Sequence, residues 1–249
     1  PPRYGTNLVF NGDAESNSGT NTYYIRDDSQ NIDRGIAWWF DAAPVTLGQY
    51  GTHTNFPTMA SPGPTNRGNN FFLGGALTNA SGAWTSVISQ QIDVSNLAGE
   101  IDNPGVNYAL SAFLGGAGTN NASSAFTARF LNAAGAGLGT NAVGPVTAAD
   151  RTNVTALLKR SASGRLPAGT CLIEFVLAAR APGKTNDASA DNLSFVLYRE
   201  TQPPVITCPV NVLASTDLGR CSALVAFSLS ATGAPAPVVT CTLGGSVIT

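Results

Sequence analysis

The stretch Asn7–Glu15, NLVFNGDAE, reads as a buried strand that runs straight into a turn carrying two carboxylates. Leu8, Val9 and Phe10 supply the apolar run, and Asn11-Gly12 supplies a turn that needs positive φ. Asp13 and Glu15 stand two residues apart, so in an extended backbone they point the same way. Carboxylate oxygens that converge like this suit a hard cation such as calcium. Calcium takes about six to eight oxygens. A further acid beside a strand is therefore required, and Asp191 in ADNLSFVLY is the best placed.

The rest of the chain is written in the same idiom of short apolar runs and turn residues. Tyr108–Leu114, Ala125–Leu131 and Cys171–Ala179 are strand-like, as are Asn69–Leu73 and Trp84–Ile92. Asp93 to Ser95 is predicted to cap one helical turn over 96–101. Ala148–Lys159 fits a helix, with Asp150 near its start and Lys159 near its end, yet Thr152, Val154 and Thr155 fit a strand equally well. Gly135, Gly137 and Gly139 are followed by residues that will not start a helix, so they predict a hairpin turn and not a phosphate loop. Only 11% of the 249 residues are charged, against about 25% in an average protein, which suits a β-rich extracellular chain. Net charge is −2 with no basic cluster, which argues against a nucleic-acid partner. No apolar run reaches the roughly 18 residues of a membrane span. The start at Pro1-Pro2 reads as a processed or trimmed mature form.

Candidate binding residues are aromatic. In Ile36–Asp41 (IAWWFD), read as a strand, Trp38 and Trp39 must face opposite sides, so one of them is expected at the surface or in a cleft. Tyr24, Tyr50 and Trp84 stand near predicted loops and join them as candidates for stacking on a ligand. Catalysis finds little support: Asp27, Asp28 and Asp41 lie in loop-like sequence, and His53 stands alone. Cys171, Cys208, Cys221 and Cys241 form no CxxC and read as disulfide cysteines of an oxidising compartment, with the pairing open.

Asn7–Glu15 resembles the opening strand of secreted bacterial jelly-roll modules, the carbohydrate-binding and galactose-binding-like β-sandwiches, and Ala190–Ser194 resembles their closing strand. The resemblance implies that the first and last strands lie together and share a structural calcium held by Glu15 and Asp191, with Asp13 beside them. Leu166-Pro167-Ala168-Gly169-Thr170 resembles the approach to a late strand in the same families. After a linker at 200–204 the composition changes. Pro203-Pro204-Val205-Ile206, Cys208-Pro209, Asp217-Leu218-Gly219-Arg220-Cys221 and Val239-Thr240-Cys241 resemble the first part of a hyalin-repeat (HYR) domain, an immunoglobulin-like sandwich of adhesion proteins.

The expected fold is therefore all-β: a jelly-roll sandwich over 1–199, then part of an immunoglobulin-like sandwich over 205–249. A half sandwich leaves open edges and an uncovered apolar face, with Val225, Phe227, Val238 and Val239 as candidates, and such edges add strands from other chains. The function expected is a non-catalytic, extracellular or cell-surface module that recognises carbohydrate. The alternative is a structural subunit of a fibre or surface assembly, self-associating through the open edges of the tail.

Overall fold

The computed structural model describes residues 2–17, 19, 25–26, 36, 38–41, 45–77, 81–199, 202–207, 213–223, 225, 228, 230–234, 237, 239–243 and 246–248. In chain order the strands are β1 (Ile25–Arg26), β2 (Phe40–Asp41), β3 (Thr46–Gln49), β4 (Asn70–Leu77), β5 (Trp84–Asp93), β6 (Val106–Gly116), β7 (Ser123–Leu131) and β8 (Gly137–Val143). They continue as β9 (Ala156–Arg165), β10 (Leu172–Ala181), β11 (Thr185–Arg199), β12 (Gln202–Thr207), β13 (Ser230–Ala234), β14 (Cys241–Leu243) and β15 (Ser246–Ile248). A 3-10 turn, Ser95–Leu97, runs into the one short helix among the described residues, α1 (Ala98–Asp102). The chain divides into two compact units, Pro1–Tyr198 and Arg199–Thr249.

The first unit is a jelly roll, and its pairing shows how it is wound. Antiparallel pairs nest inside one another: β7 with β8, β6 with β9, β5 with β10, and β4 with β11. Rolled up, this ribbon gives one sheet ordered β4-β11-β6-β9 and a second ordered β5-β10-β7-β8, with β1 and β3 added to the first and β2 to the second. The glycine-rich 132–139 segment forms the tip of the ribbon as a hairpin turn, where Asn132 N–H donates to Ala136 O.

Alternation along the strands builds the core between the sheets. Tyr108, Leu110, Ala112 and Leu114 of β6 face Phe126, Ala128 and Phe130 of β7 and Ile173, Phe175 and Leu177 of β10, all buried in one cluster. Phe195 of β11 is its centre: it stacks on Tyr108 at 4.9 Å and lies 5.1 Å from Phe175. β4 departs from alternation because it is covered on both faces. Phe72 enters the main core, while Phe71 and Leu73 pack with Tyr50, Phe56 and Leu157 in a second cluster. Arg67 knits the 50–69 connection over that cluster, donating to the carbonyls of Thr58, Ser61 and Pro64.

Two local readings of the sequence are changed. Residues 148–154 form turns and β9 begins at Ala156, so strand prevails over helix across Ala148–Lys159. The cause is Arg151, which is buried and donates to the carbonyls of Gly116, Gly118, Val154 and Asn120, bonds that a continuous helix would forbid. Cys171 and Cys221 are free thiols, not disulfide partners; the side chains of Cys208 and Cys241 lie outside the described residues.

The second unit holds two two-stranded ribbons, β12 with β13 and β14 with β15. Asp217–Cys221 makes a turn closed by Arg220 N–H to Asp217 O. Val225 and Val239 are exposed, whereas Phe227 and Val238 lie outside the described residues.

Candidate functional site

The first and last strands meet through Asn7. β4 pairs with β11 only as far as Ala190, and the N-terminal segment takes its place, with Leu8 N–H donating to Phe195 O and Leu193 N–H to Gly12 O. Asn7 Nδ2 donates to Leu193 O, and its Oδ1 accepts from the N–H groups of Val9 and Phe195. Gly12 is required there, since a Cβ would run into the Leu193 carbonyl. Asn192 takes φ 48° within β11. Before it Ala188 and Ala190 are buried on the inner side; after it Leu193, Phe195 and Leu197 are, so the inward set switches from even to odd.

That switch leaves Asp191 buried on the outer side, beneath the 50–69 connection. Tyr50 O–H donates to its Oδ2 at 2.6 Å and Asn192 N–H to its Oδ1 at 2.7 Å. Burial pushes the carboxyl up from the ordinary 3.8 to about 7, opposed by these two bonds and reinforced by the charges of Glu15 and Asp13. Tyr50 is pushed well above the usual phenol range, first by burial and then by the Asp191 charge. Glu15 Oε1 accepts from Asn70 N–H at 2.7 Å, a fit that Gly68 permits by lacking a side chain.

The three acids Asp13, Glu15 and Asp191 thus share a neighbourhood but do not converge as a three-carboxylate cluster. Asp13 is exposed and among the described residues accepts a long bond from Glu15 N–H, while Asp191 is sealed under Tyr50. Among the described residues no three carboxylates, imidazoles or thiols group as metal ligands.

The aromatic candidates part company as well. Ile36, Trp38 and Trp39 lie outside any strand and β2 takes up only Phe40–Asp41, while Trp39 N–H donates to Ile36 O. Trp38 takes φ 74° and stands 65% exposed, while Trp39 is 5% exposed and packs edge-on against Phe72 in the core. Trp39 and Tyr50 are buried and Trp84 is half-buried, so none of the three presents an open ring as Trp38 does. Tyr50 lies buried under Arg67 and spends its hydroxyl on Asp191; Trp84 is half-buried and pins the 183 turn through its indole N–H to Gly183 O. Tyr24 lies outside the described residues. His53 packs against Phe56 and accepts from Asn55 N–H.

Two residues that the sequence reading passed over complete the exposed surface around Trp38. Phe10, 51% exposed, lies 5.3 Å from Trp38, and Phe40, 75% exposed, sits opposite Ser89 on the solvent side of the five-stranded sheet. Gln90 holds Phe10 in place with both ends of its amide, accepting from Phe10 N–H and donating to Phe10 O. These side chains, with Trp39, Gln91 and Ile92, line a cleft of about 380 Å³ at the edge of the sheet. A cleft walled by exposed rings with an adjacent amide can hold a flat, partly apolar ligand and bond to its polar rim.

No protein-family model and no curated protein matches the sequence. Solved structures do resemble it at low identity. The enzymatically active domain of bacteriophage CBA120 tailspike protein 4 is 14% identical, with a TM-score of 0.43 over 72% of this chain, which spans only 22% of that one. A cyclase from Fischerella sp. TAU is 13% identical, TM-score 0.47, covering 77% of this chain and 96% of the other. The module TmCBM61, solved with β-1,4-galactotriose, is 13% identical, TM-score 0.36, covering 65% and 88%.

Proposed function

We propose that this chain is a non-catalytic, extracellular carbohydrate-binding module whose platform is the cleft of Phe10, Trp38 and Phe40. The observation that carries the reading is Trp38 itself. A bulky residue held at φ 74° costs roughly 1–3 kcal/mol, and here it delivers an indole to solvent instead of to the core. Exposed rings at fixed spacing stack on the apolar faces of pyranoses, and Gln91 at the rim can bond to their hydroxyls. The test is titration calorimetry with β-1,4-galactotriose, preceded by a broad glycan array in calcium and in chelator. Binding is expected to weaken at least tenfold in Trp38→Ala with the melting temperature unchanged. β-1,4-Galactotriose binding that ignores this substitution would reject the platform.

A structural calcium at the strand junction belongs to the same proposal. Asp191 is a buried carboxylate beside two further acids, with no cationic side chain paired to it among the described residues. The donor type suits calcium, which would draw on Glu15 and Asp191 and take its remaining oxygens from main-chain carbonyls and water.

The second reading, a structural or adhesive subunit built through an HYR-like tail, is favoured by one observation. Val205 and Ile206 are neighbours on β12 and are 57% and 59% exposed, so the ribbon leaves apolar side chains uncovered. Silence on every glycan, with concentration-dependent polymers that vanish when residues 199–249 are removed, would shift the assignment to this reading.

A further inference from the structure

We propose that the outer face of the six-stranded sheet carries a second glycan site, separate from the aromatic cleft, that selects sugars bearing a carboxylate. The outer face of an antiparallel sheet is ordinarily solvated. Here it holds a groove of about 450 Å³ running across β11, β6 and β9. Asn192 and Ser194 line it from β11, Ser111 and Phe113 from β6, and Lys159 from β9, where it pairs opposite Phe113. Asn66 walls one part of it and the N-terminal segment, through Asp13, another. Asn192, held at φ 48°, falls inside this groove.

The lining is pre-organised for a polyhydroxylated ring. Asn192 Nδ2 donates to Asn66 Oδ1 at 3.0 Å, which fixes both amides and leaves a donor on Asn66 and an acceptor on Asn192 outside that bond. Phe113 packs against the cluster of Phe71, Tyr50 and Phe56, so its ring is held by the fold before any ligand arrives. Ser111 and Ser194 add hydroxyls that can donate or accept.

Charge gives the groove a direction. Asp13 lies on the segment that borders β11, and Lys159 lies on β9, two strands away from β11 and therefore roughly 10 Å distant across the sheet. Arg129 and Arg160 are engaged with Glu174 and Asp150, whereas Lys159 has no ion pair among the described residues. A neutral sugar gains little from that ammonium. A uronic acid gains a charge-assisted bond there, and repulsion from Asp13 sets which end of the ligand is acidic.

The probe is a galacturonic acid tetramer, measured by titration calorimetry at low and at high salt beside a neutral galactose tetramer. The wild type is expected to prefer the acidic tetramer and to lose that preference at high salt. Lys159→Met should weaken acidic binding about tenfold, as expected for loss of a charge-assisted bond. Asp13→Asn should strengthen it, and Asn66→Ala should weaken it. Trp38→Ala should leave the acidic tetramer bound as in the wild type, so failure of the aromatic platform and failure of the groove are read separately. Absence of acidic-tetramer binding, binding indifferent to Lys159→Met and Asn66→Ala, or its loss in Trp38→Ala would each overturn the proposal.

Discussion

The two units of this chain are both made of strands, and they use them in opposite ways. In Pro1–Tyr198 every long strand except β8 finds neighbours on both sides or a covered face, and inward alternation meets inward alternation. In Arg199–Thr249 the described strands stop at pairs, with Val205, Ile206, Leu213 and Leu218 exposed. Strand propensity is common to both; among the described residues a closed core is seen in the first unit alone. A two-stranded ribbon is marginal in water, whereas two stacked sheets bury enough apolar area to cooperate.

That contrast predicts a steep gradient of mutational cost. Phe195→Ala removes the ring at the centre of the sandwich core and should cost about 3–5 kcal/mol in urea unfolding, whereas Val205→Ala and Ile206→Ala should change stability by less than about 0.5 kcal/mol. Comparable losses at both places would mean that Val205 and Ile206 are not solvent-facing.

Asp191 comes next, and its effect should change sign with calcium. Its folded value is raised, so between about pH 4 and pH 7 the folded state holds a proton that the unfolded state releases, and stability falls as pH rises through that window. The decline is at most about 4 kcal/mol. In chelator, Asp191→Asn should remove that decline and raise the melting temperature at pH 8. With the proposed calcium bound, the same substitution should lower it. A variant that behaves identically with calcium and with chelator would remove the ion from the account.

Asn7→Ala is a smaller perturbation. It orphans Leu193 O and the N–H groups of Val9 and Phe195 and should cost about 1–3 kcal/mol, read as faster hydrogen exchange confined to the strand junction.

The sequence made some of this legible and hid the rest for identifiable reasons. The adjacency of the first and last strands was implied by the resemblance of two stretches to jelly-roll modules, whereas apolar runs and an Asn-Gly turn, which are local signals, marked the strands themselves. The hairpin at Gly135–Gly139 was readable for the same reason. Exposure of Phe10 was not, since Leu8-Val9-Phe10 reads as one buried run and Gln90, which binds the main chain of Phe10, lies far along the chain. The Trp38-Trp39 pair was expected to split by strand alternation; it does split, but through a left-handed turn. Tyr50 and Trp84 show no local mark of the partners that bury or pin them, Asp191 and Gly183. The polar groove was invisible because its side chains come from three strands and two loops whose register no single stretch records.

The account stands most directly on Trp38, and acrylamide quenching of tryptophan fluorescence reads it. Of the described tryptophans Trp38 is exposed, Trp39 is buried and Trp84 is half-buried, so most collisional quenching should report Trp38. Saturating β-1,4-galactotriose is expected to shield that fluorescence from quencher in the wild type and to change nothing in Trp38→Phe. Bound β-1,4-galactotriose that leaves wild-type quenching unaltered would place this neutral ligand elsewhere and contradict the aromatic platform.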